Sequence, residues 1–190
     1  MSIGTPDTDA LNIDSILDGI STLIAGATPA GENHIGEVGG NSDIVNVTFS
    51  LDTNIYAAGD VLADTQIIAA CMRANDKGGV WDSLLLIDKD AQGVAMTIYL
   101  LDANVSMGTE NSAPSISDAN TEKIIATLEI LATDWKTLNG VKFVDIGDMA
   151  RPVKPVAGSD DLYAAIVLDA GTPTFSATGL FGRFGFKERN

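Results

Sequence analysis

The chain has 190 residues and a formal net charge of −15, from 11 Lys and Arg against 26 Asp and Glu. That balance excludes a general nucleic-acid binder and disfavours an anionic membrane surface, because Lys and Arg hold phosphates. A single Cys and a single His exclude an internal disulfide and a multi-histidine metal site, while 45% apolar residues suffice for a core.

The charge is uneven. Residues 1–72 carry ten acids and no base, and residues 73–190 carry sixteen acids and eleven bases. A secretory signal needs a positive start and an apolar run. No Lys or Arg precedes Arg73, and Asp14 and Asp18 interrupt the apolar stretch 13–25. That stretch is also shorter than the roughly 20 apolar residues that span a bilayer. The expectation is a chain that stays in the cytosol of the cell that makes it, or leaves by lysis. The glycosylation-like triplets at Asn46 and Asn104 are then chance matches.

In the first part, Ile13, Leu17, Ile20 and Ile24 recur at spacings of four, three and four, the seam of an amphipathic helix. Asn12 is placed to cap its start and Gly26 to end it. Such a short helix is marginal alone, so its seam is expected to pack either on its own domain or on another chain, and in the second case these four residues form the candidate protein interface. A Gly-rich connector follows through Gly40. The predicted organisation is an arm over residues 1–41 and a β-sandwich domain over residues 42–190.

The second part reads as strands. Val45, Val47, Phe49 and Leu51 alternate with polar residues, the pattern of a half-buried strand. Further strands are expected over 66–73, 80–87, 94–101, 125–131, 141–146, 162–168 and 180–186. The unbroken run Leu84-Leu85-Leu86-Ile87 predicts a strand covered on both faces. Asp88-Lys89-Asp90-Ala91-Gln92-Gly93 is expected to turn a hairpin, and residues 117–123 to form one short helix. About eight strands with frequent turns predict an all-β fold, a jelly-roll-like antiparallel β-sandwich with an N-terminal extended or helical arm. Residues 103–120 and 147–161 stand out as long loops.

Chemistry is sparse. His34 lies in the connector and Cys71 in an apolar stretch expected to be a strand, so Cys71 reads as a core thiol rather than a nucleophile. Asp88 to Gly93 begins like a calcium loop, but Tyr99 stands at the twelfth position, where such a loop needs Glu. Asp160 with Asp161, and Asp145 with Asp148, are expected to be solvated carboxylates. In 179–186, Gly182, Phe184 and Phe186 share one strand face and Phe181, Arg183 and Gly185 the other, with glycine leaving room for another backbone. No phosphate loop, zinc signature, nucleophile elbow or dinucleotide fingerprint occurs. No catalytic residue, metal or cofactor is therefore assigned.

Three stretches carry a resemblance: Asp76-Lys77-Gly78-Gly79-Val80-Trp81-Asp82-Ser83, Leu101-Asp102-Ala103-Asn104-Val105-Ser106-Met107-Gly108, and Ser159-Asp160-Asp161-Leu162-Tyr163 running on to Gly171-Thr172-Pro173-Thr174-Phe175. Over roughly residues 30–187 the chain resembles small virion structural proteins of tailed bacteriophages and prophages. The resemblance implies a capsid decoration (cement) protein, or a tail or neck component. It implies the major capsid protein as partner and a homo-oligomer (dimer or trimer), while the charge balance argues for no nucleic acid or membrane partner. Packaged DNA would repel a −15 chain, so the outer capsid surface is expected. The alternative is a host-receptor or carbohydrate-binding module, with Trp81, Trp135 and Tyr163 as stacking candidates against the simpler expectation of core packing.

Overall fold

Alternation at Val45 and Val47 produces β1 (Ser42–Thr48), which turns Val47 inward and leaves Ile44 and Asn46 exposed. A computed structural model describes residues 42–188. Nine more strands follow: β2 (Val61–Ile68), β3 (Gly79–Asp88), β4 (Met96–Leu101), β5 (Ile124–Ile130), β6 (Lys136–Leu138), β7 (Val141–Ile146), β8 (Arg151–Val153), β9 (Leu162–Leu168) and β10 (Leu180–Glu188). One helical turn, α1 (Asp118–Thr121), is capped by the Ser117 side chain, which accepts the Asn120 N–H.

The strands form two antiparallel sheets. The first runs β1-β10-β3-β7-β6, with β8 also on β3, and the second runs β2-β9-β4-β5. The pairings nest: β4 with β5, β3 with β7, β2 with β9 and β1 with β10, alternating between the sheets. That is a long antiparallel ribbon rolled up on itself, the jelly roll. The expected fold class is therefore observed.

The core lies between the sheets. Trp81, Leu84 and Leu86 of β3 and Phe184 and Phe186 of β10 meet Ile98 and Leu100 of β4 and Leu162, Ala164 and Ile166 of β9. Trp81 and Phe184 stack at 6.0 Å between ring centroids. Each large side chain so buried contributes about 1.5–3 kcal/mol before entropy is subtracted.

Several expectations are corrected. The strand expected at 66–73 runs from Val61 to Ile68. It stops because Ala70 takes a φ of 48°, outside the strand region, and the Asp161 carboxylate accepts its N–H at 2.7 Å. The turn at 88–93 is not a hairpin: it carries the chain from β3 in the first sheet to β4 in the second. β3 is not covered on both faces, since Trp81, Leu84 and Leu86 are buried while Leu85 and Ile87 are half-exposed. The doubly covered strand is β9, where only Tyr163 is less than buried. Two short strands went unpredicted, β6 and β8. The Asn139-Gly140 dipeptide marks β6: both residues have positive φ (44° and 85°), the two-residue turn that joins antiparallel strands. The arm residues Ile13, Leu17, Ile20 and Ile24, the connector and His34 lie outside the described residues.

Candidate functional site

Among the described residues, several carboxylates accept N–H groups of the chain's own backbone. At the corner between the sheets, Asp88 is fully buried and accepts the N–H groups of Gly93 at 2.7 Å and Asp90 at 3.0 Å. Burial pushes its carboxyl above the usual range, and these N–H donors partly offset the shift. Asp90 in turn accepts the Ser176 N–H at 2.7 Å, tying the corner to the loop before β10. The calcium-like start of 88–93 is thus a turn whose carboxylates are bound to main-chain N–H groups of the turn and of the loop before β10. Among the described residues no group of three or more His, Cys, Asp or Glu is arranged to hold a metal ion.

The other suspected pairs separate in the same way. Asp161 holds the turn after β2, and the Asp160 carbonyl accepts the Met72 N–H and the Cys71 thiol. Asp145 is exposed on β7, and Asp148 follows in a left-handed turn. Cys71 lies in the loop after β2 rather than in a strand, yet it is wholly buried, and burial pushes its thiol up to about 12. A thiol so placed stays protonated and is a poor nucleophile.

The loop over residues 103–117 is packed at Val105, Met107 and Ile116 and mostly exposed between them. Val105, Met107 and Ile116 cover the outer face of the second sheet over Val61, Leu101, Ala165 and Val167. The loop is pinned by Asp64, which accepts the Met107 N–H at 2.7 Å and the Ser106 hydroxyl at 2.8 Å. Val61 exchanges main-chain hydrogen bonds with Asn111 and Ser112. Beside this loop Asp52, Asp64, Ser106, Thr109, Glu110 and Ser115 line a shallow open depression. Partial burial, then the charges of Asp64 and Asp52, raise the Glu110 carboxyl.

The aromatic candidates divide. Trp81 is fully buried and Trp135 nearly so, its indole N–H donating to the Val94 carbonyl at 2.9 Å. Both belong to the core and offer no face to a sugar. Tyr163 is half-buried at the edge of the outer cluster.

Glycine on β10 makes room for side chains rather than for another backbone. A Cβ on Gly182 would sit 2.8 Å from the Phe184 ring and 3.3 Å from that of Phe49, and one on Gly185 would meet the Ser83 hydroxyl. Lys187 forms an ion pair with Asp82 of its own chain at 2.7 Å. Arg183 and Lys89 each lie 5.8 Å from the centroid of the Phe181 ring.

On the outer face of the first sheet several apolar side chains stay partly exposed among the described residues. Register places Thr48, Phe181, Ile87, Phe143 and Lys136 in one row across five strands, and Asn46, Arg183, Leu85 and Asp145 in the next. Phe181, Ile87, Leu85 and Phe143 are half-exposed, and Leu138, two residues beyond Lys136 on β6, is 64% exposed.

No family model matches the chain, and no curated protein matches it. The strand order makes it an antiparallel jelly-roll sandwich. Several solved structures similar to it over most of its length are viral. The structure of tomato aspermy virus has a TM-score of 0.38 at 7% identity, covering 93% of this chain and 94% of that one. The tobacco streak virus coat protein has a TM-score of 0.29 at 12% identity, covering 80% and 89%. Desmodium yellow mottle tymovirus has a TM-score of 0.28 at 8% identity, covering 85% and 87%. These are loose likenesses, and the fold assignment rests on the pairing of the strands. No helix among the described residues is long and apolar enough to cross a membrane.

Proposed function

We propose that this chain is a non-enzymatic virion structural protein, and within that class a decoration (cement) protein on the outer surface of a tailed-phage capsid. It bridges neighbouring capsomers as a small homo-oligomer, a dimer or trimer, with the major capsid protein as partner. The observation that carries the reading is the use of the carboxylates. Asp52, Asp60, Asp64, Asp76, Asp88, Asp90 and Asp161 each accept main-chain N–H groups that fasten turns and loops. Such a jelly roll has fixed loops and a fixed outer surface, as a building block requires. The sequence resemblance to virion proteins supports the same class. The charge of −15 favours the outside of a shell over its DNA-facing interior. In this reading the seam Ile13, Leu17, Ile20 and Ile24 is the anchor.

The test is copy number in purified particles by quantitative mass spectrometry. A decoration protein is expected in numbers comparable with the major capsid protein. A few copies per particle would overturn that placement in favour of a tail or neck component.

A further inference from the structure

The outer face of the first sheet offers an apolar strip flanked by bases, on a chain that is otherwise strongly acidic. The strip runs from Phe181 on β10 through Ile87 on β3 and Phe143 on β7 to Leu138 on β6, within the register already described. Lys89 and Arg183 stand over Phe181, and Lys136 lies opposite Phe143. Asp145 is the single acid in the two rows that carry the strip. A second copy of the same face would bring base against base, so self-pairing of the face is disfavoured.

The complementary chemistry is present in the sequence itself. Residues 1–41 carry six acids, Asp7, Asp9, Asp14, Asp18, Glu32 and Glu37, and no base. Asp14 and Asp18 flank the seam Ile13, Leu17, Ile20 and Ile24. The eleven steps from Ile13 to Ile24, at 1.5 Å each, would make that seam about 16 Å long as a helix. The strip crosses three gaps between strands, about 14 Å at the usual spacing. Length, apolarity and charge sign therefore agree.

We propose that the strip of Phe181, Ile87, Phe143 and Leu138 receives the acidic N-terminal segment of a neighbouring copy, with Lys89, Lys136 and Arg183 meeting Asp14 and Asp18. This rests on the reading of the N-terminal segment as an anchor, and it names the surface on which that anchor lands. The apolar seam supplies the affinity, and the exposed charge pairs set direction and register, because such pairs are weak individually.

The experiment uses the full chain. Copies labelled with light and heavy nitrogen are mixed, and carboxylates are linked to lysines with a zero-length carbodiimide. Links of mixed isotope from Asp14 or Asp18 to Lys89 or Lys136 are the expected result. Leu138→Asp, at an exposed site, is expected to weaken self-association in sedimentation at least tenfold. Leu17→Asp with Ile20→Asp should do the same, and Ile67→Asp, exposed on the other sheet, should not. Mixed links from Asp14 or Asp18 to Lys77 or Lys154 instead would overturn the proposed surface and leave the anchor reading standing. Links within single copies only would overturn the exchange between copies. Unchanged association in both the Leu138 and the Leu17/Ile20 variants would overturn the surface and the anchor together.

Discussion

The Asp64 carboxylate on β2 accepts the main-chain N–H of Met107, forty-three residues further along the chain, at 2.7 Å. This bond joins a sheet to the loop that covers it. It seats Met107 over Val61, Leu101, Ala165 and Val167, so one charged group maintains a second apolar cluster on the outside of the sandwich. Hydrogen bonds to a charged acceptor contribute about 1.5–3 kcal/mol each. Asp64→Ala is expected to lower stability by about 2 kcal/mol in chemical denaturation. Amide exchange should rise in residues 105–115 while β3 and β10 stay protected. Uniform protection would show that apolar contact alone holds the loop.

Gly182 should not tolerate a side chain. Alanine there places a methyl against the rings of Phe184 and Phe49, both of which are buried in the core. Overpacking of this kind costs about 1–3 kcal/mol. Gly182→Ala is expected to lower the melting temperature by several degrees, whereas Gly140→Ala, with open space at its Cβ, should lose only the conformational preference for positive φ. Equal losses at the two sites would refute the packing account.

Cys71 is expected to resist alkylation in the native state at neutral pH and to react promptly once the chain is unfolded. Burial raises its pKa from 9.0 to about 12. The folded chain therefore holds this proton more tightly than the unfolded one. Its contribution to stability is complete below pH 9 and is lost as pH rises from there toward about 12. Cys71→Ser should remove much of that alkaline dependence, lower stability by putting a hydroxyl into an apolar site, and leave particle attachment nearly intact. Loss of attachment with the fold preserved would give the thiol a function.

A chain beginning at Asn41 should fold alone, since β1 starts at Ser42 and pairs with β10 along its full length. The expected result is a strand-dominated circular dichroism spectrum and one cooperative melt. An insoluble or unfolded product would place residues 1–40 in the core of the domain.

Attachment to particles should depend on apolar contact more than on charge. Leu17→Asp with Ile20→Asp is expected to abolish decoration while the β-domain stays folded. Moderate salt alone should not strip the wild type, because exposed ion pairs contribute only about 0–1 kcal/mol each. Release by salt alone would contradict the anchor.

Alternation and turn residues made most of the sandwich legible before its structure was described. The period of two at Val45 and Val47, the β-branched and aromatic residues at 141–146 and the apolar run at 162–168 locate strands, because such side chains suit a pleated surface. The shared inward face of Gly182, Phe184 and Phe186 follows from the same period of two, whereas Trp81 joins Leu84 and Leu86 on the inner face only through the register shift between Trp81 and Ser83. Pairing is a different matter, since it joins residues far apart in sequence. Nothing in Asp88 to Gly93 says whether the next strand returns to the same sheet or crosses to the other, and that choice separates a hairpin from a jelly-roll corner. Nor does a polar loop announce its cover role. Met107 becomes core through partners far away in sequence: Asp64, on a strand forty-three residues earlier, accepts its N–H, and Val61 bonds the same loop at Asn111 and Ser112. Likewise Leu84 to Ile87 and Leu162 to Leu168 are both apolar runs, yet only the second acquires a covering on each face. Local sequence determined where strands form and which side chains share a face. Tertiary structure decided which faces are covered, because coverage depends on what distant segments bring to them.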